Sequence, residues 1–117
     1  MKDMIRMFKA LSDPGRLRIL AMLGVKPMCV CEITAVLGLA VSTVSKHLSL
    51  LKDAGFIIDE KDQKWVEYRL NRETADPRTE ELLDMHQRMT ADDPQIEKDR
   101  IAAAAADRRE ICGPSQG

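Results

Sequence analysis

Cys29 and Cys31, one residue apart, carry the side chains best suited to coordination or redox chemistry, and Cys112 supplies a third thiol. Thiolate sulfur is a soft ligand that selects soft ions. Three cysteines with two at i, i+2 do not make a disulfide framework, and a reducing compartment keeps them as thiols. At the start of a helix, free backbone N–H groups and the helix dipole favour thiolate over thiol. On an ideal helix an i, i+2 pair diverges by roughly 200°, so one ion is held by both only where that first turn is open or opens on binding. A thiol–disulfide oxidoreductase normally separates its cysteines by two residues on a strand-to-helix turn of a βαβ unit, which this sequence lacks. With no phosphate loop, nucleophile triad or carboxylate pair, the expectation is a protein that is not an enzyme and requires no cofactor.

Helices and a hairpin must position these thiols. Met4, Met7, Phe8 and Leu11 recur at i, i+3, i+4, i+7 and predict an amphipathic helix over residues 2–11. Asp13-Pro14 gives an N-cap and a first-turn proline for a second helix that Gly24 and Pro27 stop. A third helix opens at Cys29 to Cys31, buries Ile33, Val36 and Leu37, and closes on Gly38. After three residues Ser42 caps a fourth helix over 42–51, with Val44, Leu48 and Leu51 on its apolar side. Residues 56–59 and 65–70 read as two strands around a polar loop, 60–64. Asp76-Pro77 and Asp93-Pro94 open two further helices, and the tail from Gly113 is expected to be disordered. The order, four helices, two strands and two helices, is a mainly α fold with a small β-hairpin: a winged helix-turn-helix. One domain is expected over 1–111, with a C-terminal tail over 112–117.

The net charge of -1 conceals a division. Residues 1–72 carry 12 Lys+Arg and 8 Asp+Glu, hence +4, and residues 73–117 carry 6 and 11, hence -5. Local potential, rather than the total, attracts nucleic acid. A helix that reads the major groove needs short polar side chains near its N-terminus and an apolar face that docks it. Ser42, Thr43, Ser45 and Lys46 ahead of Leu48 and Leu51 have that distribution, although the same face also suits plain solvation. Arg16, Lys46, Lys52, Lys61 and Lys64 are candidate phosphate contacts. His47, one residue before core Leu48, reads equally as a DNA contact or as a half-buried hydrogen-bonding group. Trp65 and Tyr68 read as wing packing, since 3% aromatic content leaves little for base stacking.

The stretches Leu11-Ser12-Asp13-Pro14-Gly15-Arg16-Leu17-Arg18-Ile19-Leu20, Cys29-Val30-Cys31-Glu32-Ile33 and Ser45-Lys46-His47-Leu48-Ser49-Leu50-Leu51-Lys52-Asp53-Ala54-Gly55 together resemble the ArsR/SmtB family of metal-responsive repressors, over roughly residues 4–72. The resemblance implies a homodimeric winged-helix repressor of its own resistance operon, with double-stranded operator DNA and a metal or metalloid ion as partners. In arsenic-responsive members a Cys-Val-Cys at this place binds As(III) or Sb(III) through three sulfurs. Those members commonly carry another cysteine three residues after the second, where this chain has Thr34. Cys112 is then the remaining thiol to complete a Cys29, Cys31, Cys112 site, from either protomer. The competing reading leaves Cys112 uninvolved and the ion on two thiolates with solvent or a small thiol.

Of the zinc-responsive pattern only Asp84-Met85-His86 is matched; Glu97 and Arg100 stand where the second half belongs, so Asp84 and His86 read as surface or interface residues. Cadmium and lead sensing draws on N-terminal cysteines, and none precedes Cys29. Sensing of Cd(II) or Pb(II), or of oxidants by the thiols, remains the alternative within the same fold. The helices beginning near Lys2 and Asp76 are the expected dimer interface. That dimer would set two reading helices roughly 34 Å apart, on an imperfect palindrome. No apolar run approaches the ~20 residues of a membrane span, and the N-terminus lacks the unbroken apolar core of a secretory signal, so a cytoplasmic protein with no membrane partner is expected.

Overall fold

Three Asp-Pro pairs open helices as the sequence predicts, and in each the aspartate accepts from the first-turn backbone. In this computed structural model, which describes residues 1–113, α1 (Lys2–Ala10) precedes α2 (Pro14–Leu23), where Asp13 accepts from Arg16 N. Further along, α5 (Pro77–Met89) has Asp76 accepting from Arg78 N, and α6 (Pro94–Ala105) has Asp93 accepting from Gln95 N and Ile96 N. Each such cap satisfies amide groups that have no partner inside the helix.

Between them, β1 (Met28–Cys29), α3 (Val30–Leu37) and α4 (Val41–Asp53) lead into the hairpin of β2 (Ile57–Asp62) and β3 (Trp65–Leu70). A short α7 (Arg108–Ile111) follows α6. The core gathers Ile19, Leu20, Met22, Met28, Ile33, Val44, Leu48, Leu51, Phe56 and Ile57, so the helix-turn-helix pair and the root of the wing share one apolar centre. Among the described residues no single helix is long and apolar enough to cross a membrane.

Four expectations are corrected. The sheet has three strands in the order β1-β3-β2, because Met28 and Cys29 pair antiparallel with Tyr68 and Glu67. Two residues buried on both sides offer no alternation to read. The polar segment at 60–64 is largely strand: Asp62 pairs with Trp65, leaving Gln63 and Lys64 as the turn, with Gln63 at φ 57°. Helix α4 starts one residue before Ser42, with extended Ala40 as N-cap and no side-chain cap, which leaves Ser42 exposed. The last helix breaks at Ala106, whose ψ of 134° ends α6, and Asp107 caps α7 by accepting from Arg109 N. Of the expected tail, residues 114–117 lie outside the described residues.

Two helices show apolar side chains to solvent. On α1 only Met7 and Ala10 turn inward, while Met4, Ile5 and Phe8 are 42%, 45% and 49% exposed. On α5 Met85 and Met89 are exposed while Leu83 is buried. Such faces mark interaction surfaces in small domains.

Gly15 stands where α2 meets α4. A Cβ there would lie 3.0 Å from His47 Nε2 and 3.0 Å from Asp13 Oδ2. Both neighbours are held by Arg16, Asp13 through the amide at 3.1 Å and His47 through Nη1 at 3.2 Å. An alanine in a helix ordinarily stabilises relative to glycine. Here Gly15→Ala is expected to destabilise by about 1 kcal/mol, seen in thermal unfolding as a Tm lowered by about 4 °C.

Candidate nucleic-acid interface and cysteine site

Helix α4 turns by 113° from α3, within the range of helix-turn-helix pairs. Val44, Leu48 and Leu51 are essentially fully buried and fix the helix to the core. Ser42, Thr43, Ser45 and Lys46 are all exposed on the opposite side, joined there by Val41. Short side chains on an anchored, outward helix are what a groove-reading element requires. Lys61 and Lys64 stand exposed on the wing hairpin.

Three of the proposed contacts are held by the protein itself. Arg16 donates from Nε to Ala10 O at 2.7 Å and from Nη2 to Lys9 O at 3.1 Å, and its Nη1 lies 3.2 Å from His47 Nδ1. A guanidinium only donates, so His47 Nδ1 accepts and the ring proton sits on Nε2, which faces Asp13 Oδ2 at 3.6 Å. His47 is thus engaged in hydrogen bonding that ties α4 to the start of α2. Lys52 Nζ bonds Asp59 at 3.0 to 3.1 Å, joining the end of α4 to β2, and Asp59 raises the lysine's pKa.

The structure brings two of the three thiols together. Cys31, in the first turn of α3, is disulfide-bonded to Cys112, the C-cap of α7, with a Cα–Cα distance of 5.6 Å. This corrects the expectation of three separate thiols. A spacing of 81 residues carries no sequence signal for such a pairing. Cys29 is a free thiol, 2% exposed, at the junction of β1 and α3. It is extended (φ -88°, ψ 162°), so the divergence expected of two helical residues does not apply. Its amide donates to Glu32 Oε1 at 2.8 Å, the reciprocal bond of a capping box.

Burial pushes the Cys29 thiol up to about 11, against the pull of Arg108 and with help from Glu32 and Glu67. The helix start was expected to favour thiolate; desolvation outweighs the dipole. A soft ion would therefore fit Cys31 and Cys112 once reduced to thiols, while Cys29 joins only by giving up a proton that its surroundings retain. Among the described residues no three potential donors are grouped in a metal-binding arrangement.

Asp84 and His86 have different partners. His86 is buried with Nε2 2.9 Å from Leu17 O, and burial lowers its pKa, so the surface or interface reading is corrected. Asp84 meets Arg72 at 3.3 Å. Trp65 packs in the wing as expected, beneath the Arg108 guanidinium at 5.6 Å from the ring centroid.

Sequence reasoning missed Arg108 and Glu32. Arg108 lies 2.8 Å from Glu67, 3.4 Å from Asp62 and 3.5 Å from Glu32. The signal was present in Asp107-Arg108-Arg109-Glu110, an N-cap aspartate with an acid three residues on.

A mainly helical domain with an outward polar helix and a small antiparallel wing defines the winged helix-turn-helix class. Residues 13–59 match the family described as "Bacterial regulatory protein, arsR family". The chain is 36% identical over 90 residues to the cadmium resistance transcriptional regulatory protein CadC homolog of Staphylococcus aureus, covering 76% of this chain and 74% of that protein. It is 40% identical over 68 residues to the arsenical resistance operon repressor of Escherichia coli, covering 57% of this chain and only 58% of that protein. HlyU from Vibrio cholerae has a similar structure, with a TM-score of 0.65, 26% identity, and coverage of 77% of this chain and 94% of that one. A homodimeric winged helix-turn-helix DNA-binding domain from Mycobacterium bovis gives a TM-score of 0.64 at 25% identity, covering 80% of this chain and 82% of that one. The chain belongs to the arsR family. The family is one of bacterial regulatory proteins, and the relatives matched include proteins named as an operon repressor, a transcriptional regulatory protein and a DNA-binding domain.

Proposed function

We propose that this protein is a homodimeric transcriptional repressor that leaves its operator when As(III) or Sb(III) binds cysteine thiolates at Cys31 and Cys112, with Cys29 as the third sulfur. The observation that carries the DNA-binding half is α4, docked by Val44, Leu48 and Leu51 with Ser42, Thr43, Ser45 and Lys46 left outside. The exposed faces of α1 and α5 support dimerisation, which spaces two reading helices for an imperfect palindrome.

The effector half is supported by the pairing of Cys31 with Cys112, which puts two soft donors in bonding reach across 81 residues of chain. Taking up two electrons and two protons from a thiol reductant turns that disulfide into two thiols, and these can then serve as ligands. A second reading is favoured by the same observation: the disulfide itself is the signal, and oxidants or thiols switch the protein. The family also includes a relative named for cadmium resistance, so Cd(II) is a third arm of the test.

Duplexes selected from a random library are used to measure binding of the reduced protein, followed by arsenite, antimonite, cadmium, zinc and peroxide. Sequence-selective binding with release by arsenite or antimonite is expected. Release by peroxide alone moves the assignment to redox sensing. Absence of selective binding overturns the repressor reading.

A further inference from the structure

Helix α7 is a single turn with Arg108 at its start and Cys112 at its end, closed by a bond from Cys112 N to Arg108 O at 2.8 Å. Cys112 and Arg108 therefore belong to one hydrogen-bonded turn. The guanidinium in turn reaches three elements. Its Nη2 donates to Glu67 Oε2 of β3 at 2.8 Å, its Nη1 to Asp62 Oδ2 at the end of β2 at 3.4 Å, and its Nε lies 3.5 Å from Glu32 Oε1. Its plane covers Trp65 at the start of β3.

We propose that Arg108 couples the cysteine site to the wing. The inference rests on the reading of Cys31 and Cys112 as the effector site and deepens it by naming the residue that carries the response. With α7 docked, one cation lies among three carboxylates. With α7 displaced, Glu32, Asp62 and Glu67 face one another without it, and like charges at that range repel.

Glu32 is 2% exposed, so loss of its cation leaves a buried carboxylate uncompensated. Glu32 also holds the amide of Cys29, the residue that pairs with Glu67 in the sheet. The start of α3 and both wing strands therefore share one charge balance, and α7 sets it. A bistable contact of this kind is what transmits an effector event to a distant binding face.

The test uses the full chain, reduced, with sodium arsenite as probe. Trp65 is the single tryptophan of the sequence, so its emission reports the Arg108 contact without DNA. In the wild type, arsenite is expected to shift that emission and to weaken binding to a selected duplex by about tenfold or more. In Arg108→Ala, circular dichroism and arsenite uptake by thiol titration are expected to stay near wild type, while affinity for the duplex without arsenite falls toward that of the arsenite-bound wild type, because the substitution removes the cation permanently. The arsenite-induced weakening should fall below about threefold, under the usual range of allosteric coupling. The emission shift should disappear.

Glu67→Gln, which leaves the Arg108 contact with Glu32 in place, is expected to lose coupling in the same direction. It provides the measurement if Arg108→Ala fails to fold. Release of the variants to the wild-type extent overturns the proposal. So does unchanged Trp65 emission in the wild type on arsenite uptake. A wild type that shifts its emission but binds no selected duplex fails the repressor reading and leaves the coupling contact supported.

Discussion

Cys31→Ser is expected to abolish release by arsenite, a loss of about tenfold or more in the ratio of operator affinities with and without the ion, while the reduced protein still binds the duplex. Cys31 lies in the first turn of α3, bonded to Cys112 and not on α4, so the substitution takes the proposed ligand and leaves Ser42, Thr43, Ser45 and Lys46 in place. A serine hydroxyl is a hard, weakly acidic donor and does not replace thiolate toward a soft ion. Cys112→Ser should behave in the same way. If arsenite affinity and operator release both survive in Cys112→Ser, Cys112 is no ligand and the three-sulfur site is wrong. Isothermal titration with arsenite alongside fluorescence anisotropy of labelled duplex separates ion affinity from release. In Cys29→Ser the same pair of measurements should show weaker ion binding with release retained at saturation, because burial makes the Cys29 proton costly to give up.

The second large effect concerns folding. Arg18→Ala is expected to destabilise the protein by about 3 kcal/mol, read as a lower midpoint in urea with an unchanged slope. Arg18 binds Asp99 with two hydrogen bonds, Nε to Oδ2 at 2.7 Å and Nη2 to Oδ1 at 2.9 Å, and Asp99 is 2% exposed. The arginine's pKa is raised by that hydrogen bond. Without Arg18 the aspartate keeps, among the described residues, the side-chain bond from Gln95 Nε2 at 3.0 Å, too little for a buried charge. The pair joins α2 to α6 across 81 residues of sequence, so its loss removes one of the ties between the C-terminal helices and the rest of the core. Replacing both members by apolar residues of similar size should cost far less than Arg18→Ala, since the burden lies in the unpaired charge. A double substitution as damaging as the single one would show the pair to be needed for more than charge compensation.

Helices that repeat an apolar period over several turns, and the Asp-Pro pairs that open them, were legible because local chemistry alone decides them. Strand β1 was not: two residues set no period, and its pairing with Tyr68 and Glu67 depends on a strand some forty residues on. Helix α4 stands where the sequence put it, but Arg16 was assigned outward from its type and His47 was left open between an outward and an inward role. Polarity gives no direction when a neighbouring carbonyl such as Ala10 O can satisfy the same donor. For Cys29 the helix start was weighed and the desolvation was not, because burial of the β1–α3 junction comes from the sheet that the sequence did not reveal. The alanine run hid the end of α6 and with it the turn that carries Arg108 to the wing.

The Cys31–Cys112 bond also changes the chain as a polymer. It ties positions 81 apart into a ring, and leaves residues 1–30, with α1, α2 and β1, as an arm outside it. A closed loop of that length restricts the unfolded ensemble by about 4.5 kcal/mol, comparable to the whole stability of many small domains. Under the proposed function, the sulfurs that bind the ion also set how long the molecule survives heat and proteases. Opening the ring by reduction is expected to shorten that survival.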